Sequence, residues 1–337
     1  MIRRPRRLAE ALLLLGLGLL VLAAALWVVP SSQYVFLPDV AHPVEPLVSV
    51  PAGRKQADAD RGGVYFVDVI VRKASLLERL FPSIREGATL MPASAVVPPG
   101  GNDQQRRRLD LNEMQRSQSI ATAVALRALG RKVVARPIGA LIDAVDPKAP
   151  AAGTIHPGDR IVAVDGKQVR MTADLRSRVE SHRPGDTITL TVAGPSGRRV
   201  VRVKTTSSSG RTVIGVIVEQ GVDVQVPVDV KINAGSIGGP SAGLAFALDI
   251  MEELGRDVDR GHRIAATGEL GLNGAVLPVG GLEQKTIGAR RAHVDLFLVP
   301  AGDNAAVARR YAHGLRIVPV KSFRQALSTL ATLKPVD

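Results

Sequence analysis

Apolar positions open the chain as an unbroken run: Ala11 to Val29 is 19 consecutive residues without a charge. As a helix this run spans roughly 28 Å, about the hydrocarbon thickness of a bilayer. Beyond it the pattern becomes short and mixed. Val64-Tyr65-Phe66-Val67-Asp68-Val69-Ile70-Val71 is dense in β-formers and predicts a strand. Ser75 to Leu80 predicts the opening of a helix with Ser75 as its N-cap. Pro98 to Gln105 is a polar loop punctuated by Pro-Gly-Gly, and Asp110 to Leu129 predicts a helix ended by Gly130.

From Arg136 to about Thr205 the pattern is that of a β-rich unit. Ala140 to Val145, Arg160 to Val164, Thr187 to Val192 and Arg199 to Lys204 predict strands, and Thr172 to His182 a helix with Leu175 and Val179 on one face. Ser207-Ser208-Ser209-Gly210 reads as a flexible break. Val224 to Ile232 then alternates in strand fashion. A glycine-rich turn, Gly235 to Gly243, feeds an apolar helix that runs to Leu254. Arg263 to Leu270 predicts a strand, Asn273-Gly274 a hairpin turn, and Ala275 to Pro278 the return strand; after Gly280-Gly281 a helix opens at Leu282.

Charge and composition narrow the classes of function. The net charge of +13 invites a nucleic-acid reading, but aromatics are 3% of residues and do not interleave with arginine, so a stacking surface is missing and no nucleic-acid partner is expected. The run Arg106 to Arg108 reads as solvated surface. With no cysteine, thiol nucleophiles, disulfides and Cys-based zinc sites are excluded. Arg3, Arg4, Arg6 and Arg7 precede the apolar run, so the positive-inside rule holds the N-terminus in the cytoplasm and sends everything after Pro30 outside it, as a single-pass protein of the cell membrane. Trp27 and Tyr34 flank the far end. A cleaved signal peptide with small residues at Ala23-Ala24-Ala25 is the competing reading; the continuation through Leu26 to Val29 favours a retained anchor. Both put the bulk of the chain on the same side.

Two polar residues stand where chemistry is available. Ser241 lies at the junction of the glycine-rich turn and its helix, where free N–H groups suit a developing oxyanion; the plainer alternative is a helix cap. Lys285 lies in the first turn of a helix among apolar residues. Burial and the positive end of the helix dipole both disfavour a lysine's charged form, and a neutral lysine can take a proton from a serine hydroxyl. The plainer alternative is a surface lysine. No G-x-x-x-x-G-K-[ST] and no H-E-x-x-H occurs, so neither ATP nor a metal is expected, and no cofactor.

Pro137-Ile138-Gly139-Ala140, Ala149-Pro150-Ala151-Ala152-Gly153, His156-Pro157-Gly158-Asp159-Arg160-Ile161 and Val164-Asp165-Gly166-Lys167 together resemble a PDZ domain of the kind attached to bacterial proteases. Such domains bind a peptide as a strand added beside their helix. The resemblance implies that the loop of Arg136, Pro137, Ile138 and Gly139 takes a terminal carboxylate and that Leu175 and Val179 line a side-chain pocket; a structural spacer that binds nothing is the alternative. Gly239-Pro240-Ser241-Ala242-Gly243, Thr267-Gly268-Glu269 and Gly274 to Lys285 resemble the proteolytic domain of Lon protease. That resemblance implies a Ser-Lys dyad of Ser241, the nucleophile, and Lys285, the base, with Thr267 orienting the lysine. Backbone N–H groups around Gly239 to Ala242 would hold the oxyanion. Two departures stand out: Gly238 where Lon usually has an acidic residue before Gly-Pro-Ser, and Glu283 where it often has a lysine.

The whole chain resembles the bacterial PDZ-containing, Lon-like membrane or secreted proteases. The expected class is α+β: a basic tip and transmembrane helix over 1–30, a mixed segment over 31–135, a PDZ domain over 136–206 and a Lon-type α/β domain over 207–337. The expected activity is ATP-independent serine endopeptidase action outside the cytoplasm on flexible or unfolded proteins, with a direct Ser241 Oγ–Lys285 Nζ hydrogen bond. The alternative is a membrane-tethered PDZ scaffold with an inactive protease-like domain. A homo-oligomer is implied by resemblance only.

Overall fold

Residues 4–51, 62–97, 102–194 and 197–336 are described in the computed structural model of the chain. Helix α1 (Arg4–Val28) contains the apolar run; over Glu10–Val28 its mean hydropathy is 2.7 and none of that stretch is buried, so it is long and apolar enough to cross a membrane. Arg3 lies outside the described residues, as do the side chains of Arg4, Arg6 and Arg7.

The β-former run at 64–71 does not make one strand. It breaks at Val67-Asp68 into β2 (Gly63–Phe66) and β3 (Val69–Ser75), which join different sheets. Strand β1 (Pro30–Pro38) lies between β3 and β4 (Thr89–Pro92), antiparallel to both. Ser75 does cap a helix, through a capping box with Glu78. Helix α2 (Asp103–Ala128) starts seven residues before the pattern predicts. The cause is a second capping box: Asn102 accepts from the Gln105 N–H, and the Gln105 side chain accepts from the Asn102 N–H. The polar-loop reading of 98–105 therefore fails at Asp103 to Gln105, while 98–101 lie outside the described residues. Arg106 is not solvated surface either: it is mostly buried, pairs with Asp110 at 3.1 Å and lies over the Tyr34 ring.

The PDZ-like unit has its own core around Ile142, Ile161, Leu175, Ile188 and Leu190. It comprises β5 (Val134–Val145), β6 (Arg160–Val164), α3 (Thr172–Glu180), β7 (Thr187–Gly194) and β8 (Gly197–Lys204). The break expected at 207–210 is a tight hairpin in which Thr206–Ser208 pairs with Arg211–Val213. Ser209 (φ 48°) and Gly210 (φ 75°) are both left-handed, the backbone a two-residue hairpin turn requires. Next comes β9 (Val216–Gln225), eight residues earlier than the strand predicted at Val224. Pro227 has no N–H to give a ladder, so pairing stops there. Lys231–Ile232 instead pairs with Val48–Ser49.

The C-terminal part runs α4 (Gly243–Glu253), β10 (Arg263–Ala266), α5 (Leu282–Arg291), β11 (Leu296–Pro300), α6 (Asp303–Tyr311), β12 (Arg316–Val320) and α7 (Phe323–Leu330). Strands β2, β10, β11 and β12 form a parallel sheet in that order, with His42–Pro43 antiparallel at the β2 edge. One hydrophobic core joins Val44, Phe66 and Val124 to Phe246, Ile264 and Leu298, so segments on either side of the PDZ-like unit bury a common surface. The α5 helix meets the segment before β2 closely. A Cβ on Gly288 would stand 1.9 Å from the Asp39 carbonyl oxygen, and the Ala41 N–H donates to the Gly288 carbonyl at 3.3 Å. Gly288→Ala is therefore expected to destabilise the chain by about 1–3 kcal/mol. The measurement is a lower urea midpoint with an unchanged slope.

Candidate active site

Parallel strands leave a crevice at their carboxyl ends, the usual place for a ligand in an open α/β sheet. Phe66 pairs with Ala266, so Val67-Asp68 and Thr267-Gly268 emerge side by side at that end. The loop carrying Ser241 crosses it and is held from both sides. From α2, the Asp110 carbonyl accepts from the Gly239 N–H at 2.7 Å, and the Ser117 hydroxyl donates to the Pro240 carbonyl at 2.9 Å. From β10, the Gly268 N–H donates to the Ser241 carbonyl at 2.8 Å and the Thr267 hydroxyl donates to it at 3.2 Å. A Cβ on Gly238 would lie 2.6 Å from the Asp110 Cβ, so an acidic side chain has no room there; Asp110 brings a carboxylate to the same wall from α2 instead.

Ser241 does not cap the helix. Ala242 occupies the N-cap position and no side chain caps it. Lys285 is in the first turn of α5, whose N-cap Gly281 is left-handed (φ 72°), and the lysine is only 4% exposed. Its amine donates to Thr267 Oγ1 at 3.3 Å. That same hydroxyl donates to the Ser241 carbonyl, so Thr267 links the two segments. The expected direct Ser241–Lys285 hydrogen bond is not formed: among the described residues the Ser241 hydroxyl has no partner, and the amine's partner is Thr267. Burial pushes the Lys285 amine down to about 7, with the Asp68 carboxylate pulling the other way.

Ser241, Lys285, Asp68, Asp110, Glu113 and Glu269 all line one cavity of about 700 Å³. Its carboxyls titrate high. Burial, then the Asp110 charge, pushes Glu113 up to about 7, and burial raises Asp110 and Glu269. Asp68 is raised by burial and then by Asp39, and its Oδ1 is buried with no hydrogen-bond partner. The sequence reading passed over Asp68; its signal was a lone charge interrupting an otherwise apolar β-former run.

The oxyanion candidates divide. The Gly239 N–H is already committed to Asp110, whereas among the described residues the N–H groups of Ser241 and Ala242 make no hydrogen bond. The residues assigned to peptide binding lie away from this cavity, in the PDZ-like unit. Arg136, Pro137 and Gly139 pair with Asp223, Val222 and Gly221 of β9, and Leu175 and Val179 are buried in the unit's own core. Ile138 stands at the bulge between these pairs.

Comparison with known proteins places both units. Residues 206–332 match the Lon protease (S16) C-terminal proteolytic domain, and residues 115–205 match the PDZ domain. Lon protease 1 of Sorangium cellulosum is 36% identical over 108 residues, 29% of this chain and 13% of that protein. The Lon protease of Aquifex aeolicus is 42% identical over 79 residues, 23% of this chain and 10% of that protein. The chain thus spans only a small part of these relatives' length. The solved PDZ domain of the SdrC-like protein of Listeria innocua is 26% identical, covering 24% of this chain and 92% of that one, with a TM-score of 0.23. The class so defined is an α+β protein with a PDZ domain and a serine-peptidase domain of the Lon type. An N-terminal helix apolar enough to span a membrane completes it.

Proposed function

We propose that the chain is an ATP-independent serine endopeptidase, anchored by α1, that cleaves flexible or unfolded protein segments outside the cytoplasm. Its parts would be the anchor (1–30), a mixed segment (31–135), the PDZ unit (136–206) and the proteolytic domain (207–337). The observation that carries the reading is a lysine amine buried to the point of titrating near neutrality, on the cavity that Ser241 lines and tied to its loop through Thr267.

The neutral Lys285 amine takes the Ser241 proton as Oγ bonds to the scissile carbonyl carbon. The N–H groups of Ser241 and Ala242 receive the oxyanion. The C–N bond breaks as the ammonium returns its proton to the leaving amine. Lys285 then deprotonates a water that attacks the acyl carbon and frees Ser241. Thr267 keeps the amine aimed and stays hydrogen-bonded whichever protonation state the amine holds. The PDZ unit binds peptide and governs what reaches the cavity.

The test is cleavage of an unfolded protein by the full chain in detergent without nucleotide, with a fluorophosphonate as covalent probe. Cleavage and an adduct mapped to Ser241, both lost in Ser241→Ala, are expected. Persistent cleavage by Ser241→Ala sinks the assignment.

A further inference from the structure

A PDZ unit receives its ligand as a strand added to an open sheet edge beside its helix. Here the strand is β5 and the helix α3. On one side β5 pairs with β6, through Ala140↔Ile161 and Leu141↔Arg160. Its other edge is not open: β9 runs antiparallel along all of it, from Val145↔Val216 to Val134↔Gln225. The side chains of β9 alternate as a bound strand's would, with Val216, Val218, Gln220, Val222 and Val224 half-buried and Ile217, Glu219, Asp223 and Gln225 exposed. Val216 and Val218 pack on the core that holds Leu175 and Val179.

The end of the groove meant for a terminal carboxylate is also filled. The Gly139 N–H donates to the Arg170 carbonyl at 3.0 Å. The Gln220 amide closes the rest: its Oε1 accepts from the Thr172 N–H at 3.0 Å, and its Nε2 donates to the Gly139 and Arg170 carbonyls at 3.1 and 2.9 Å. Glu219 pairs outward with Arg116 of α2, whose guanidinium also stands 3.7 Å from Glu269 on the cavity wall.

From this we infer that the chain's own β9 is the resident ligand of its PDZ groove. An outside partner enters only as an extended internal segment of the same pattern, valines two apart followed by an amide side chain, by displacing β9. The groove does not read a free C-terminus, because Gln220 and Arg170 already satisfy the loop. An attached strand acts at an effective concentration in the millimolar range, so an outside peptide binds far more weakly than its contacts alone would give. The inference deepens the peptide-binding role proposed above for the PDZ unit. Its readout is binding, so it stands or falls separately from the Ser241–Lys285 chemistry.

The chain has no cysteine, so one introduced pair can form only one intramolecular bridge. Ala144 and Ile217 face each other across β5 and β9, and Ile217 is 63% exposed. Cross-strand neighbours lie at roughly 4.5–5.5 Å between Cα atoms, within disulfide reach. The probe is a fluorescein-labelled peptide of residues 214–226, applied to the full chain carrying Ser241→Ala so that it is not consumed. With Ala144→Cys/Ile217→Cys added, the reduced protein is expected to bind the probe and the oxidised protein to lose at least about tenfold in affinity, reversibly. In the unlocked chain, Gln220→Ala is expected to tighten probe binding about tenfold, as β9 loses three hydrogen bonds. Amidated and free-acid probes should bind equally. Equal binding by locked and reduced protein overturns the inference, as does clear preference for the free acid. Absence of binding by both the reduced chain and Gln220→Ala overturns it too, since β9 is then a permanent strand.

Discussion

Lys285→Met is expected to cost peptide hydrolysis at least about 10³-fold and, at neutral and acid pH, to make the fold more stable. The first effect follows from removing the only base proposed for Ser241. The second follows from where the amine sits. Its folded-state pKa is about 7 against a model value of 10.5. Between those values the unfolded chain binds a proton that the folded chain does not, so the lysine's contribution to stability rises with pH from 7 to 10.5. Below pH 7 the folded chain carries the charge in a buried place at a cost of roughly 5 kcal/mol. Methionine has similar length, no charge and no titration. Thr267 is not orphaned by the change, because its hydroxyl still donates to the Ser241 carbonyl. Urea midpoints of the full chain in detergent at pH 6, 7.5 and 9 give the measurement. The gain for Lys285→Met should be largest at pH 6 and shrink steadily as pH rises. A variant less stable than wild type at pH 6, or a gain that ignores pH, would contradict a buried, neutralised amine.

The cavity's two central residues were legible because each sits on a local signal. A glycine-rich turn entering an apolar helix marks Ser241, and a Gly-Gly pair opening a helix marks Lys285. Both signals lie within a dozen residues of the side chain they point to. Asp68 and Glu113 reach the same cavity by long-range pairing that no local period records. Strand β2 joins β10 in register, Gly63 against Arg263, and nothing in the run Val64 to Val71 says that its two halves belong to different sheets. Capping boxes explain the shifted start of α2: Asn102 and Gln105 carry that signal, but the apolar stripe on which the helix was recognised begins only later. The same limit applies to the PDZ groove. Its residues could be named from turn and strand order, while the strand that fills it lies outside the unit's own motif and was read too late in the chain, at Val224 instead of Val216.

The pH profile of kcat/KM is expected to fall about tenfold per unit below pH 7, as the Lys285 amine charges and stops serving as a base. Asp68→Asn should move that acid limb to lower pH. The sign follows from the charge: the Asp68 carboxylate favours the ammonium, so removing it leaves the amine neutral over a wider range. The same substitution should lower the plateau above pH 8, because the ammonium that forms when the Ser241 proton moves has lost its counter-charge; the fall is about tenfold for each pKa unit the carboxylate supplied. The other groups facing this pair are few. Asp39 and His42 act on Asp68 from the segment before β2, Asp39 raising its pKa and His42 lowering it. Asp110, Glu113, Glu269, Arg106 and Arg107 occupy other parts of the cavity wall. Wild type and Asp68→Asn are compared from pH 5 to 9 on one unfolded substrate. A purely structural role for Asp68 scales the whole curve and leaves its midpoint in place. A shift of the midpoint toward acid with a lowered plateau is what a carboxylate acting through Lys285 produces, and superimposable limbs would remove Asp68 from the proton's path.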